Sequence, residues 1–227
     1  ATIFINTSHV GGKSYMNWEQ LKKLDKAGIE IGNHSHDHPH FVNAENPDEF
    51  FIQDVSKAQE LFKRHLGFKP ELFSYPYGEY TRELAEKAES MGFKAAAAQR
   101  SGVLGSSTNR YAIPRFPMGG PFATMKGFTS KIKMKPLNVD MIQPESTLDY
   151  PVEEVRFKLK TPVHESTVQC FIDGIKQTIE NKNGQFHVKM PSSDDRRILI
   201  TITAQGKESG SWHWFSYVVI NKVVEEQ

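Results

Sequence analysis

The feature that most constrains this chain is a repeated alternation, over its first hundred residues, of short apolar runs with amphipathic helical stretches. Ala1-Thr2-Ile3-Phe4-Ile5-Asn6 reads as a strand. Asn17 then stands three residues before Gln20, a capping-box spacing, and Leu21, Leu24 and Ala27 supply an apolar face that Gly28 terminates. Ile29-Glu30-Ile31-Gly32 is the next strand. Residues 34–47 are a loop, and residues 48–66 a helix with Phe51, Val55, Ala58, Leu61 and Phe62 on one face and Gly67 at its end. Leu72-Phe73 opens a third strand, Pro76-Tyr77-Gly78 a turn, 81–91 a third helix and Phe93–Ala98 a fourth strand. Strand–helix alternation at this spacing predicts a parallel sheet with covering helices, open or closed into a barrel.

From about residue 135 the period changes. Val155–Leu159, Val168–Ile172 and Ile198–Ile202 alternate apolar and polar residues, and Asp173-Gly174 and Asn183-Gly184 are hairpin signals. These runs predict an immunoglobulin-like β-sandwich over 133–227, after an α/β domain over 1–132. Trp212 and Trp214 share one strand face, and burial against the neighbouring domain is expected of them.

Composition excludes several classes. With 28 basic and 27 acidic residues the formal charge is +1, so the overall balance offers no basic excess for nucleic acid or an anionic membrane. No apolar run reaches the roughly 18 residues that span a bilayer. Cys170 is the only cysteine, which rules out an intrachain disulfide. A strand at residue 1 suggests a chain that begins inside a domain.

Chemistry concentrates in Asn33-His34-Ser35-His36-Asp37-His38-Pro39-His40, which follows a strand at the carboxyl end of the expected sheet. Two imidazoles four residues apart reach one metal ion if the loop takes a helical turn. The rival reading is four loop histidines with no common ligand. Taken alone, Tyr75-Pro76-Tyr77-Gly78 is an ordinary tight turn.

Gly32 to Pro39 resembles the His-x-x-x-His-Pro motif of the polysaccharide deacetylases, carbohydrate esterase family four, and Phe73-Ser74-Tyr75-Pro76-Tyr77-Gly78 resembles their Arg-x-Pro-Tyr-Gly motif. The strand at 1–5 and the helix and strand over 18–32 are similar to those leading into the first motif, so the resemblance covers roughly residues 1–118. It implies an incomplete (β/α) barrel, with His34 and His38 as two of three metal ligands and the Tyr77 backbone N–H as oxyanion donor. His36 and His40 are left as solvent-facing or supporting residues. Zinc is the default ion, with cobalt and nickel also suited to imidazole. Tyr75, Tyr77, Tyr80 and Phe41 are candidate platforms for sugar rings, and Arg115 a candidate contact to a catalytic base or sugar hydroxyl, or a structural ion-pair partner.

The implied reaction is hydrolysis of N-acetyl or O-acetyl groups of a polysaccharide by a periplasmic or extracellular protein. Three departures stand against it. The family's Thr-Phe-Asp-Asp motif, source of the third ligand and the general base, lies ahead of the strand at 1–5. The motif arginine is Ser74, and no Leu-x-His follows near 110–135 as general acid. A non-catalytic glycan-binding or structural protein with a degenerate deacetylase fold is the alternative.

Overall fold

A computed structural model describes residues 1–208 and 210–224. By its internal contacts the chain divides into two compact units: Ala1–Gln99 with Asn109–Ile113, and Arg100–Thr108 with Pro114–Gln227.

In the first unit four strands, β1 (Thr2–Ile5), β2 (Glu30–Asn33), β3 (Leu72–Ser74) and β4 (Ala95–Ala97), alternate with three helices, α1 (Trp18–Lys26), α2 (Pro47–Leu66) and α3 (Arg82–Ser90). All strand pairs are parallel and the sheet order is β1-β2-β3-β4. Ala97 adds an isolated parallel bridge to Ile113. The result is an open four-stranded α/β sheet rather than a closed barrel.

Local chemistry accounts for the helix ends. Asn17 accepts from the Gln20 amide at 2.9 Å while Gln20 accepts from the Asn17 amide at 2.8 Å, a full capping box at the start of α1. In α2, Pro47 occupies the first turn, with Asp48 and Glu49 near the positive end of the helix dipole and Lys63, Arg64 and His65 near the negative end. Gly67 stops α2 at φ 89°, a left-handed conformation that glycine adopts without a Cβ penalty. Leu21, Ile31, Ala58 and Phe62 are buried together where α1 and α2 meet the sheet. Gly32 is required for a different reason: a Cβ there would stand 2.5 Å from the Phe4 ring on the neighbouring strand.

The second unit begins with the loop 100–108 and the helix α4 (Met125–Ile132). Nine strands follow: β5 (Lys135–Pro136), β6 (Val139–Gln143), β7 (Glu154–Leu159), β8 (Gln169–Ile172), β9 (Ile175–Lys176), β10 (Glu180–Lys182), β11 (Gln185–Lys189), β12 (Arg197–Gln205) and β13 (Trp212–Ile220). They form one sheet of order β10-β11-β7-β6 and another of order β5-β13-β12-β8-β9. Pairing is antiparallel except between β5 and β13. Val155, Phe157, Phe186 and Val188 from the first sheet share one core with Ile172, Ile198, Ile200 and Ile202 from the second, so the two sheets form a sandwich. Asp173-Gly174 and Asn183-Gly184 turn with positive φ at both residues, as two-residue hairpins require.

By internal contacts 100–108 and the residues from Pro114 onward group with the sandwich: Arg100 donates to the Ser216 carbonyl at 2.9 Å and Phe116 packs edge-on against Trp214 at 5.3 Å. Trp214 is half-buried by that contact, whereas Trp212, at the end of β13 beyond the core, is 39% exposed. Among the described residues no helix is long and apolar enough to cross a membrane.

Candidate metal centre

His34 follows the last residue of β2 and is tied to the neighbouring strand through its amide, which donates to the Ile5 carbonyl at 2.9 Å. Its Nδ1 lies 2.7 Å from the Ser74 carbonyl at the end of β3. A carbonyl oxygen only accepts, so Nδ1 is the protonated nitrogen and Nε2 carries the lone pair. That lone pair faces His38, whose Nε2 is 3.2 Å away. Two nitrogens each about 2.0 Å from a tetrahedral ion would be about 3.3 Å apart, so the pair has the separation of two zinc ligands. The carbonyl behind His34 is the outer-shell partner that such ligands ordinarily have.

No helical turn forms between the two imidazoles. Ser35 and His38 adopt φ of 71° and 55°, and these left-handed residues bring the rings together. Side chains hold the loop in that shape: Asn33 Oδ1 accepts from the Ser35 amide at 2.7 Å, and Ser35 Oγ from the His38 amide at 3.0 Å. Asp54, buried on α2, accepts from the amides of His36 and Asp37 at 2.7 and 3.0 Å. Among the described residues the Nδ2 of the fully buried Asn33 has no hydrogen-bond partner.

Tyr77 stands beside the pair in a single 3-10 turn, Pro76–Gly78, with φ 55° and ψ 0°. A left-handed tyrosine costs on the order of 1–3 kcal/mol, a strain that concentrates at functional sites. Its ring stacks on His40 at 3.7 Å and meets His38 edge-on at 4.5 Å. Gly78 is confined by Gln99, which occupies the space a Cβ would need. A mostly apolar cavity of about 400 Å³ opens at the histidines, walled by Phe4, Val10, Tyr15 and Met16 among others.

Of the two roles left open for His36 and His40, their contacts fit the supporting one, whereas the aromatic platforms change. His36 Nδ1 pairs with Thr7 Oγ1 at 2.8 Å, and His40 Nδ1 with the buried Glu79 carboxylate at 2.9 Å. Tyr75 is no sugar platform: it is 1% exposed, its hydroxyl donates to the Tyr111 carbonyl, and burial raises its pKa. Phe41, 2% exposed, packs with Phe50 and Phe51. Tyr80 is half-buried beside Tyr75. Arg115 lies exposed in the second unit, its amide donating to the Arg100 carbonyl at 2.8 Å.

Sequence reasoning misses Asp54, Glu79 and the Ser74 carbonyl. Only Asp54 leaves a trace, a carboxylate on the apolar stripe of α2 between Phe51 and Ala58. Among the described residues no group of three or more His, Cys, Asp or Glu side chains converges, so no third such side chain joins the pair.

Comparison with known proteins bears on the same segment. The family model described as polysaccharide deacetylase matches residues 1–96. YxkH of Bacillus subtilis, assigned by name to the polysaccharide deacetylases, is 28% identical over 115 residues, covering 51% of this chain and 40% of that protein. The poly-beta-1,6-N-acetyl-D-glucosamine N-deacetylase of Staphylococcus aureus is 26% identical over 128 residues, covering 51% of this chain and 44% of that protein. The crystal structure of a polysaccharide deacetylase from Bacillus cereus shares the fold at TM-score 0.52 and 15% identity, over 59% of this chain and 42% of that one. The chain spans less than half the length of these curated relatives. The segment that matches the polysaccharide deacetylase model, residues 1–96, holds both the histidine loop and the Pro76-Tyr77-Gly78 turn.

Proposed function

We propose that this chain carries part of the active site of a hydrolase that removes N-acetyl groups from a polysaccharide, O-acetyl groups being the other linkage open to the same chemistry. One observation carries the reading: within the family-matched segment, His34 and His38 present Nε2 atoms 3.2 Å apart, with His34 fixed through Nδ1. His34 and His38 would hold a divalent ion, zinc by default with cobalt and nickel also suited. Such an ion, when bound, polarises the acetyl carbonyl and makes its water more acidic.

The chain's own residues do the rest of what can be assigned. The Ser74 carbonyl keeps His34 in the tautomer that offers Nε2 outward. The Tyr77 amide, held by its left-handed turn, is a fixed donor for negative charge developing on the acetyl oxygen. The apolar wall of the adjoining cavity suits an acetyl methyl. Arg115 remains a proposed contact to a base or sugar hydroxyl, since its side chain is exposed. The third ligand and the general base are not supplied by the histidine pair, and Ser74 lacks the charge of the motif arginine. Those two features favour a second reading, a non-catalytic glycan-binding protein.

The substrate class is an acetylated polysaccharide of the kind named for the Staphylococcus aureus relative, not a nucleic acid, and a polymer of that kind sets the proposed place of action as periplasmic or extracellular. For the architecture, the sequential parallel order β1-β2-β3-β4 supports part of a (β/α) barrel. In the sandwich, β6-β7-β11-β10 and β8-β12-β13 correspond to the A-B-E-D and C-F-G orders, which supports an immunoglobulin-like fold.

Zinc titration calorimetry and acetate release from an N-acetylglucosamine oligomer test the reading, on this chain and on the longest protein that contains it. The enzyme reading expects His34→Ala to lose zinc uptake at least tenfold, and acetate release by the longer protein to vanish with it. Oligomer binding that is unchanged without zinc and in His34→Ala, with no acetate released by either form, would establish the glycan-binding reading instead.

A further inference from the structure

The balanced overall charge conceals a segment that is not balanced. Between Glu89 and Asp140 the chain has no acidic residue, while Lys94, Arg100, Arg110, Arg115, Lys126, Lys131, Lys133 and Lys135 are all basic. Five of these eight, from Arg115 onward, surround α4 in the second unit.

No residue of α4 is buried. Met125, Phe128 and Ile132 are 76, 46 and 68% exposed, and Phe122, just before the helix, is 52% exposed. Successive helical residues turn by about 100°, so Met125, Phe128 and Ile132 fall within about 60° of arc. Lys126 and Lys133 flank that stripe on one side and Lys131 on the other. Lys131 Nζ lies 5.3 and 4.9 Å from the ring centroids of Phe116 and Phe122, and Thr124 caps the helix by accepting from the Gly127 amide at 3.0 Å.

We propose that α4 and the segment leading into it dock the second unit on an anionic lipid bilayer, with Phe122, Met125, Phe128 and Ile132 entering the interface and the flanking lysines meeting lipid phosphates. An exposed apolar stripe edged on both sides by lysine is the form of a helix lying in the membrane surface, sunk about 5–10 Å. The charge selects this occupant over others. A second copy would bring two faces of the same sign together, and a soluble polyanion would engage the lysines while leaving the apolar stripe in water. The proposal stands independently of the deacetylase reading.

Co-sedimentation of the chain with vesicles rich in phosphatidylglycerol, and with vesicles of phosphatidylcholine alone, tests it. Binding is expected to the anionic vesicles only and to weaken as salt rises. Each lysine at a membrane surface is worth about fivefold, so K126Q/K133Q weakens binding about twenty-fivefold. F128S/I132S, at exposed positions that leave the core intact, weakens it at least about tenfold. Equal binding to both vesicle types, or to neither, overturns the proposal, and this comparison needs no variant. Undiminished binding by either double variant, or a solution dimer that F128S/I132S dissociates, overturns it as well.

Discussion

At the scale of single residues, the candidate site depends most on a side chain that would touch no ligand. Asp54 satisfies two consecutive amides, those of His36 and Asp37, from inside α2, and so fixes the loop on which both candidate ligands sit. Asp54→Ala leaves those amides without an acceptor, a loss of about 2–4 kcal/mol at about 1–2 kcal/mol each. Asp54→Asn keeps one acceptor oxygen and is expected to lose roughly half as much. Urea denaturation measures the stabilities. Because the loop also orients His38, zinc affinity is expected to fall in the same order, and an Asp54→Ala protein with native stability would remove this role. The spacing of His34 and His38 is legible in the sequence, but the route by which they meet is not. A helical turn is the simplest way to close four residues; here Asn33, Ser35 and Asp54 supply hydrogen bonds that hold Ser35 and His38 left-handed.

At the scale of elements, agreement between sequence and structure is closest where the determinants are local. The capping box of α1 involves two residues three apart and needs no partner elsewhere. Asn17→Ala removes the acceptor for the Gln20 amide and is expected to cost about 1 kcal/mol, read as a lower thermal midpoint, with Asn17→Ser close to wild type. A full-sized loss in Asn17→Ser would mean that Asn17 acts through something other than the cap. The hairpins at Asp173-Gly174 and Asn183-Gly184 are local in the same sense. Tyr75 and Trp212 are the contrary cases. A tyrosine beside a Pro-Tyr-Gly turn gives no local sign of its exposure, and burial of Tyr75 depends on Phe51 and Tyr111 arriving from distant parts of the chain. Trp212 and Trp214 point the same way along one strand, yet only Trp214 meets Phe116.

At the scale of the whole molecule, the lone cysteine reports on the sandwich core. Cys170 is buried between the two sheets, and burial pushes its thiol up to about 12 from an ordinary 9.0. A raised acid favours the fold below its unfolded pKa, so this contribution is present below about pH 9 and is lost as pH rises toward 12. At about pH 8 a thiol reagent is expected to leave the native protein unlabelled and to label it fully in denaturant. Fast labelling of the native protein would mean that the sandwich opens. Charge also has to be read at more than one scale: a total of +1 gave no reason to expect a surface partner, whereas its distribution along 90–139 and around α4 does.

The sequence by itself determined the elements whose causes lie within a few residues: the strand–helix alternation, the caps, the two-residue hairpins, and the motifs that tie residues 1–96 to a family. Tertiary structure alone decided how those pieces became a site. The Ser74 carbonyl fixes the His34 tautomer across 40 residues, and Asp54 holds a loop 17 and 18 residues away. It also decided which aromatics were taken into the core. Short-range patterns are written in neighbouring side chains, whereas a backbone carbonyl or a carboxylate on a helix stripe acquires its role only when folding brings it to a donor it does not border in sequence.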